Sequence, residues 1–290
     1  MIAVRLQGRL GNQMFQYAFI MAASRQLNTN FYIDQYIEPS SIDRYFNNIA
    51  AGPNKAFTQL FKIKGFKNIF NFHLRRAYYK YLAQINKLAV YEYDYNSSMS
   101  ETIIKNDTLY LGFFQSELFF KPLEDTIKRS FMLKAIFVNK FKDKYNDLYK
   151  DNTIVTVHIR RTDYQNLRYL NLGADDLSLP LSYYKNALAK FDGQNVHFIF
   201  ISDDIDFVHQ NFKDVKNKTI SADNEIMDFQ HLLNADACIV SNSTFGWWGA
   251  YLNPKKEKVV YCPKYYLGFY LKQQIPQNIY PKEWRQIEFT

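Results

Sequence analysis

The second half of the chain alternates between short apolar runs and longer stretches whose apolar residues recur at helical spacing. Runs of these two lengths are typical of strands and helices respectively. Their alternation predicts a parallel sheet with helices on both faces, in which ligands bind beyond the carboxyl ends of the strands. The predicted strands are Thr153–Ile159, Val196–Ile201, Thr219–Ser221, Ala237–Val240 and Val259–Cys262, and helices lie near 181–191, 204–212, 224–235 and 244–252.

The chain also opens with a β-α-β pattern. An apolar strand, Ile2–Leu6, precedes a polar turn with Gly8 and Gly11, and a short strand, Phe31–Ile33, follows the helix. Apolar residues on one face predict that helix. They are Met14, Tyr17, Ala18, Met21 and Ala22.

Residues 35–150 are less regular. They are rich in Tyr, Phe, Lys and Asn, and we predict only helices around 66–88 and 120–148, with no topology. The polar stretch Lys140–Asn152 best suits a domain boundary. The sequence therefore predicts two domains, 1–148 and 149–290.

Composition narrows the class of protein. Of the 290 residues, 47% are hydrophobic and 18% aromatic, which suits a large core and also amphipathic surfaces such as sugar grooves. The net charge of +8 attracts anions, so nucleic acid, anionic lipid and phosphorylated small molecules remain open. A nucleic-acid partner is disfavoured, because the 36 basic residues are interspersed with 28 acidic ones and no recognition motif occurs.

The cysteines and the hydropathy pattern indicate a location. Cys238 and Cys262 both lie in apolar strand-like runs, so a disulfide scaffold is disfavoured and a reducing compartment is expected. No run approaches the roughly 20 apolar residues that span a bilayer. We expect a cytoplasmic protein that can also rest peripherally on the inner face of a membrane.

The first chemical motif follows the strand at 153–157. His158 and Arg160 alternate with Ile159 along the strand end, so both polar side chains face the same side. An arginine fixed there can bind a diphosphate bidentately and stabilise its charge as it leaves a sugar, as a metal ion would elsewhere. Arg161 and Asp163 extend the motif, and the alternative is a surface ion-pair cluster.

The second motif joins the strand at 237–240 to a helix. Ser243 or Thr244 is placed as the N-cap, where backbone amides of the first turn form an anion site. An ordinary cap would explain these hydroxyls as well. It would leave unexplained the two Trp and two Gly residues in the turn that follows.

The third motif is a pair of acids, Asp203 and Asp204, after the strand at 196–201. A carboxylate there could accept hydrogen bonds from guanine or ribose, or simply cap the next helix. Asp204 and Asp206 also form an Asp-x-Asp pair, which we do not interpret as a metal site because the arginines supply the positive charge. At the N-terminus, the spacing of Gly8 and Gly11 lacks the dinucleotide fingerprint, so no nicotinamide or flavin site is predicted.

Four segments together resemble the family-eleven glycosyltransferases, the α-1,2-fucosyltransferases. They occur in the family's order and are Gly8–Ala18, His158–Tyr164, Ile201–Asp204 and Ser241–Leu252. The resemblance implies a GT-B architecture, with two Rossmann-like domains and a nucleotide-binding crevice between them. It also implies transfer of L-fucose from GDP-L-fucose to the 2-hydroxyl of a galactoside, with inversion and with neither metal nor cofactor.

The resemblance also implies residue roles. Arg160 would bind the diphosphate with His158 beside it, Ser243 and Thr244 would meet the phosphates, and Asp203 or Asp204 would meet guanine. The remaining expected donor-binding residues are Gly11, Asn12, Arg161, Ser241 and Asn242. The family has serine where this chain has Thr244 and Gly246; the hydroxyl survives at 244 but is lost at 246.

The base that deprotonates the acceptor is expected to be Asp163, which shares the loop of Arg160; alternatively, Asp163 orients Arg161. The acceptor would be a galactose-containing oligosaccharide or glycolipid, contacted mainly by the N-terminal domain. Two competing functions remain: a GT-B transferase that uses another donor such as GDP-mannose, and a carbohydrate- or nucleotide-binding protein without turnover.

Overall fold

The computed structural model describes residues 1–49, 68–94 and 104–289, without the side chains of residues 68–71. The first two residues of the helix predicted at 66–88 lie outside this description. The chain forms two compact units, Met1–Met132 and Leu133–Thr290.

The N-terminal unit is built on a four-stranded sheet of order β2-β1-β4-β3, in which all neighbours are parallel. Its central strand β1 pairs Val4 with Ile33 on one side and with Tyr110 on the other. The strands are β1 (Ile2–Arg5), β2 (Phe31–Asp34), β3 (Ala89–Glu92) and β4 (Thr108–Leu111). The helices are Leu10–Gln26, Ile42–Tyr45, Asn68–Ile85 and Glu124–Ser130.

Aromatic rings fill much of this unit's interior. Phe19 of the first helix stacks on Phe114 with ring centroids 3.8 Å apart, and it meets Tyr110 and Phe119 edge-on. All four rings are buried. Part of the unusual Phe and Tyr content therefore serves the core.

Two buried glutamines explain much of the N-terminal motif. Gln13 donates to the carbonyls of Gly8 and Pro39 and accepts from Ser41, while Gln16 accepts from the Gln7 amide and donates to the carbonyl of Gly112. These bonds tie the first helix to three loops. Gly8 has φ +75°, a conformation that favours glycine.

The C-terminal unit contains a six-stranded parallel sheet of order β10-β9-β8-β5-β6-β7. Its strands are β5 (Ile154–Ile159), β6 (His197–Ser202), β7 (Lys218–Ile220), β8 (Ala237–Ile239), β9 (Val259–Pro263) and β10 (Arg285–Ile287). Its helices are Ala135–Asp151, Leu181–Leu188, Ile205–Asn211, Glu225–Asn234 and Thr244–Leu252. The five strands and four helices predicted from 150 onward are confirmed to within a few residues.

Strand β5 is buried along its whole length. Val155, Val157 and Ile159 face one core cluster, which includes Tyr183 and Phe200. Burial on both faces is expected for a central parallel strand covered by helices. The position of β5 fixes the loop that follows it in the middle of the carboxyl edge.

The chain divides at Met132, whereas the sequence analysis placed the boundary between 148 and 149. The helix predicted at 120–148 is two helices separated by residues 131–134, and the second of them, Ala135–Asp151, packs Phe141 and Tyr145 against Met227. Its apolar face thus belongs to the C-terminal unit. No helix in the described ranges combines the length and apolarity needed to cross a membrane.

Candidate active site

Three candidate loops lie side by side at the carboxyl edge of the C-terminal sheet. They follow the adjacent strands β8, β5 and β6, whose parallel pairing is continuous. The parallel arrangement therefore brings Arg160, Asp203 and Ser243 to the same edge, as the strand pattern predicts.

Arg160 is held by two acids. Its Nε lies 2.8 Å from Oδ1 of Asp163, its Nη2 2.8 Å from Oδ2 of Asp163, and its Nη1 3.3 Å from Oδ2 of Asp203. Burial disfavours its charge, but Asp163 and Asp203 more than compensate, so the pKa of Arg160 is raised. The guanidinium, 17% exposed, is a permanent, oriented cation.

Asp203 builds the loop that carries Arg160. It accepts hydrogen bonds from the Arg161 amide at 2.9 Å, from the Thr162 amide at 3.2 Å and from the Thr162 hydroxyl. Burial would raise the pKa of Asp203, but the bond from Thr162 and the charge of Arg160 lower it overall. Both of its oxygens therefore have partners within the protein.

Asp204 has a second structural role. Its carboxylate accepts from the Phe207 amide at 3.0 Å, so it caps the helix Ile205–Asn211. It also accepts a hydrogen bond from Nε of Arg161 at 3.2 Å. The Arg161 guanidinium lies over the Phe207 ring, 4.0 Å from its centroid. Arg161 thus pairs with Asp204, and Asp163 pairs with Arg160 rather than orienting Arg161.

His158 is buried beneath the loop between β8 and the helix Thr244–Leu252. Its Nδ1 lies 2.9 Å from Oγ of Ser241, and its ring packs on Gly246, where a Cβ would lie 2.7 Å from Nδ1. Burial and the charge of Arg160 lower the pKa of His158 to about 3. The imidazole is therefore neutral and shapes the loop.

Stability is expected to fall in acid because of this histidine. Its pKa is about 3 in the folded protein against 6.5 ordinarily, so below pH 6.5 the unfolded chain binds a proton that the folded chain excludes. The contribution of neutral His158 to the free energy of unfolding is complete above pH 6.5 and is lost as the pH falls toward 3. Urea unfolding at pH 7 and pH 5 should show a larger loss for the wild type than for His158→Gln; equal losses would contradict the assignment.

The helix after β8 begins at the site. Ser243 occupies the N-cap position with extended backbone, and the first intrahelical bond runs from the Trp247 amide to the Ser243 carbonyl at 3.0 Å. The amides of Phe245 and Gly246 precede that bond, so they point toward the helix N-terminus. The predicted cap position is confirmed, although the Ser243 side chain does not bond a first-turn amide.

Neighbouring side chains fix this loop. Asn242 donates through Nδ2 to the carbonyl of Leu177 at 2.8 Å, and Ser241 of the same loop lies 2.9 Å from Nδ1 of His158 at the end of β5. Among the residues described, Oδ1 of the buried Asn242 has no hydrogen-bond partner. Thr244 begins the helix. The loops after β5 and β8 are therefore linked to each other directly.

Gly11 and Asn12 lie in the N-terminal unit, in the first turn of its first helix. Asn12 accepts through Oδ1 from Nε2 of Gln115 at 2.9 Å. All the other candidates lie in the C-terminal unit.

Asp228 is a candidate that the sequence analysis missed. It lies in the first turn of the helix after β7 and accepts from the Ser221 hydroxyl at 2.6 Å, at the same carboxyl edge. Burial, aided by the charge of Asp223, raises the pKa of Asp228 to about 6. The feature of the sequence that could have indicated Asp228 is its position between two apolar residues, Met227 and Phe229, which are buried in the structure. In the described ranges, no three His, Cys, Asp or Glu side chains form a metal-binding group.

Comparison with known proteins identifies the family. The model of glycosyl transferase family 11 matches residues 1–288. The chain belongs to this family. Family 11 members are glycosyltransferases, so the chain is a glycosyltransferase.

Two bacterial relatives are similar over most of their length. An O-antigen biosynthesis glycosyltransferase, WbnK, of Escherichia coli is 24% identical over 89% of this chain and 92% of its own. An α-1,2-colitosyltransferase of Escherichia coli is 27% identical over 87% of each chain.

Solved fucosyltransferases share the fold of this family 11 chain. The fucosyltransferase NodZ from Bradyrhizobium aligns with TM-score 0.51 and 11% identity over 87% of this chain and 93% of its own. POFUT1 in complex with GDP aligns with TM-score 0.53 and 10% identity over 89% and 97%. Together with the two parallel-sheet units, these likenesses confirm the predicted α/β GT-B fold class.

Proposed function

We propose that this family 11 glycosyltransferase transfers L-fucose from GDP-L-fucose to the 2-hydroxyl of a galactoside, with inversion and without a metal ion. The observation that carries the proposal is a half-buried guanidinium, that of Arg160, which two acids orient beside a helix N-terminus at the carboxyl edge. The names of the relatives support an α-1,2 linkage and a GDP-sugar donor.

Arg160 holds the leaving diphosphate in this proposal. The amides of Phe245 and Gly246 and the hydroxyl of Ser243 add hydrogen bonds at the helix N-terminus. Negative charge grows on the diphosphate as the sugar–oxygen bond breaks. Hydrogen-bond donors fixed in place therefore bind the transition state more tightly than they bind intact GDP-L-fucose. His158 stays neutral and keeps the loop in place.

Donor binding and base activation are coupled through Asp163. This carboxylate takes the same Nε and Nη2 edge of Arg160 that a bidentate phosphate would use. A diphosphate that displaces it leaves Asp163, already 42% exposed, able to accept the proton of the attacking hydroxyl.

Asp163→Asn is expected to lower kcat about 10²-fold or more, because the amide cannot accept that proton. GDP affinity should not weaken, since the variant no longer competes as an anion for Arg160. Steady-state transfer assays and calorimetry with GDP measure both quantities. Asp175→Asn, an exposed acid of the same loop, is the matched control; near-normal turnover of Asp163→Asn would remove it from the base role.

Asp228 is the better candidate for contact with guanine. Both oxygens of Asp203 have protein partners, and Asp204 caps a helix and binds Arg161. Among the residues that the structure describes, Asp228 accepts a hydrogen bond at Oδ1 only, and a carboxylate matches the paired N–H donors of guanine.

Asp228→Asn is expected to weaken GDP about tenfold or more, as loss of a charged hydrogen bond does. Calorimetry with GDP measures this, and Asp223→Asn, which breaks the nearby ion pair with Lys144, is the control. Unchanged GDP affinity in Asp228→Asn would return the base contact to Asp203 or Asp204.

The function is tested with labelled GDP-L-fucose, a panel of galactosides and excess EDTA. We expect transfer to a galactose 2-hydroxyl at an undiminished rate with the chelator. Faster turnover of GDP-mannose would favour the alternative donor, and saturable binding without GDP release would favour a binding protein. The acceptor is expected to be an oligosaccharide or glycolipid; peripheral membrane contact stays a prediction.

A further inference from the structure

Two tyrosines project from loops at the carboxyl edge of the C-terminal sheet. Tyr169, in the loop after β5, is 79% exposed, and Tyr270, in the segment after β9, is 53% exposed. Most other large rings in this unit are buried or half-buried. Exposed rings are costly to leave in water, and tyrosine is enriched where proteins bind ligands.

The loop of Tyr169 is ordered by its own backbone. The Leu167 amide bonds to the carbonyl of Asp175 and the Leu177 amide to that of Tyr164, each at 2.8 Å. Gly173 has φ +94° and lies against the neighbouring segment, where a Cβ would stand 2.9 Å from Cβ of Tyr270. The loops that carry the two tyrosines are therefore in direct contact.

The ring of Tyr270 packs against the ring of Phe269. It lies 4.5 Å from the Phe269 ring, centroid to centroid, and Phe269 in turn meets Phe289 at 5.5 Å. Phe269 packs against the main core cluster of the unit. Because the Tyr270 ring packs on other rings, it loses little conformational entropy when a ligand binds to it.

Both loops border the candidate active site. The loop of Tyr169 begins at Arg160 and Asp163, and its Leu177 carbonyl accepts a hydrogen bond from Asn242, beside Ser243. The segment of Tyr270 contains Tyr266, whose pKa is raised by burial and by the adjacent Tyr164. The two exposed tyrosines are therefore carried by segments that lie beside the candidate site.

We propose that Tyr270 and Tyr169 form an acceptor platform that binds the galactoside through the C–H face of its sugar rings. The C-terminal unit would then supply acceptor contacts, in addition to those expected from the N-terminal domain. Sugar rings carry C–H groups on one face and hydroxyls at the rim, and they suit an amphipathic tyrosine surface. This inference rests on the proposed function.

The test measures acceptor and donor separately. Tyr270→Ala is expected to raise the acceptor KM about tenfold, and Tyr169→Ala to raise it severalfold, as the loss of aromatic contact predicts. Tyr270→Phe and Tyr169→Phe should restore KM to about the wild-type value, because the ring carries the contact. GDP affinity by calorimetry and hydrolysis of GDP-L-fucose without acceptor should not change.

Arg168→Ala is the matched control, since Arg168 is an 86% exposed side chain of the Tyr169 loop that carries no aromatic ring. Acceptor KM values equal to the wild type in both alanine variants would overturn the platform while leaving the proposed function intact. Weakened GDP binding in these variants would also overturn it, because the rings would then serve the donor. If no galactoside is used by the wild type, the proposed function fails first.

Discussion

Replacing Arg160 by alanine is expected to lower kcat with GDP-L-fucose by about 10²- to 10³-fold, or roughly 3 kcal/mol of transition-state stabilisation. The guanidinium is oriented by Asp163 and Asp203 at the edge where the diphosphate would lie. In the proposed mechanism this cation takes the place of a metal ion, so its loss would leave only neutral hydrogen-bond donors for the growing charge. The effect should appear in kcat more than in KM.

Two variants make the Arg160 result specific. Arg160→Lys keeps the charge but not the planar fork, so most of the activity should still be lost. Arg168→Ala removes an 86% exposed arginine from the same loop and should leave transfer unchanged. Steady-state kinetics and Tm of all three variants provide the comparison; only a mild loss in Arg160→Ala would refute the assignment.

Gly246→Ala is expected to destabilise the protein by about 1–3 kcal/mol, the usual cost of overpacking. The added Cβ would stand 2.7 Å from Nδ1 of His158, a buried ring that bonds to Ser241 and cannot move aside. GDP binding should weaken as well, because the shift displaces the helix N-terminus. A glycine-to-alanine change within a helix stabilises the protein where the added Cβ meets no obstacle. The sign of the change in unfolding free energy therefore distinguishes the two cases.

A double-mutant cycle tests the cause of this effect. In a His158→Ala background, the ring is absent and Gly246→Ala should cost little or nothing. Urea unfolding of the wild type, both single variants and the double variant gives the coupling free energy. Additive costs would show that the clash with His158 is not the reason for glycine at 246.

Most of the C-terminal unit could be predicted from sequence. The central strands β5 and β8 are buried along their whole length. Helices separate the predicted strands, so periodicity locates them, and the parallel topology then places Arg160, Asp203 and Ser243 together. Strand β10, with the sequence Arg-Gln-Ile, was not predicted. Which of these side chains lie at the carboxyl edge follows from where the strands end. Of the two residues predicted as candidates for the N-cap, Ser243 and Thr244, the structure has Ser243 there.

The N-terminal unit was harder to predict for physical reasons. Strand β3 is largely exposed and strand β4 has four residues, so neither gives a clear alternation of apolar and polar positions. The first helix is buried along most of its length, and its key polar residues, Gln13 and Gln16, bond to loops distant in sequence. Such long-range bonds leave no local pattern.

The partners of the site acids also required the structure. Asp163 follows Arg160 and Arg161 closely in the sequence, whereas Asp204 is 43 residues from Arg161. Only the folded loop shows that Asp163 binds Arg160 and that Asp204 binds Arg161. Asp228 was hidden because one acid in a helical run reads as an exposed residue. Its raised pKa arises from burial, which sequence spacing does not report.

A crystal structure of the protein with GDP, grown in the presence of EDTA, tests the central claim most directly. We predict that β-phosphate oxygens lie about 3 Å from the Arg160 guanidinium and from the amides of Phe245 or Gly246, with Asp163 displaced from Arg160. A diphosphate bound away from Arg160 and Ser243, or one that binds only when a divalent cation is restored, would contradict the account.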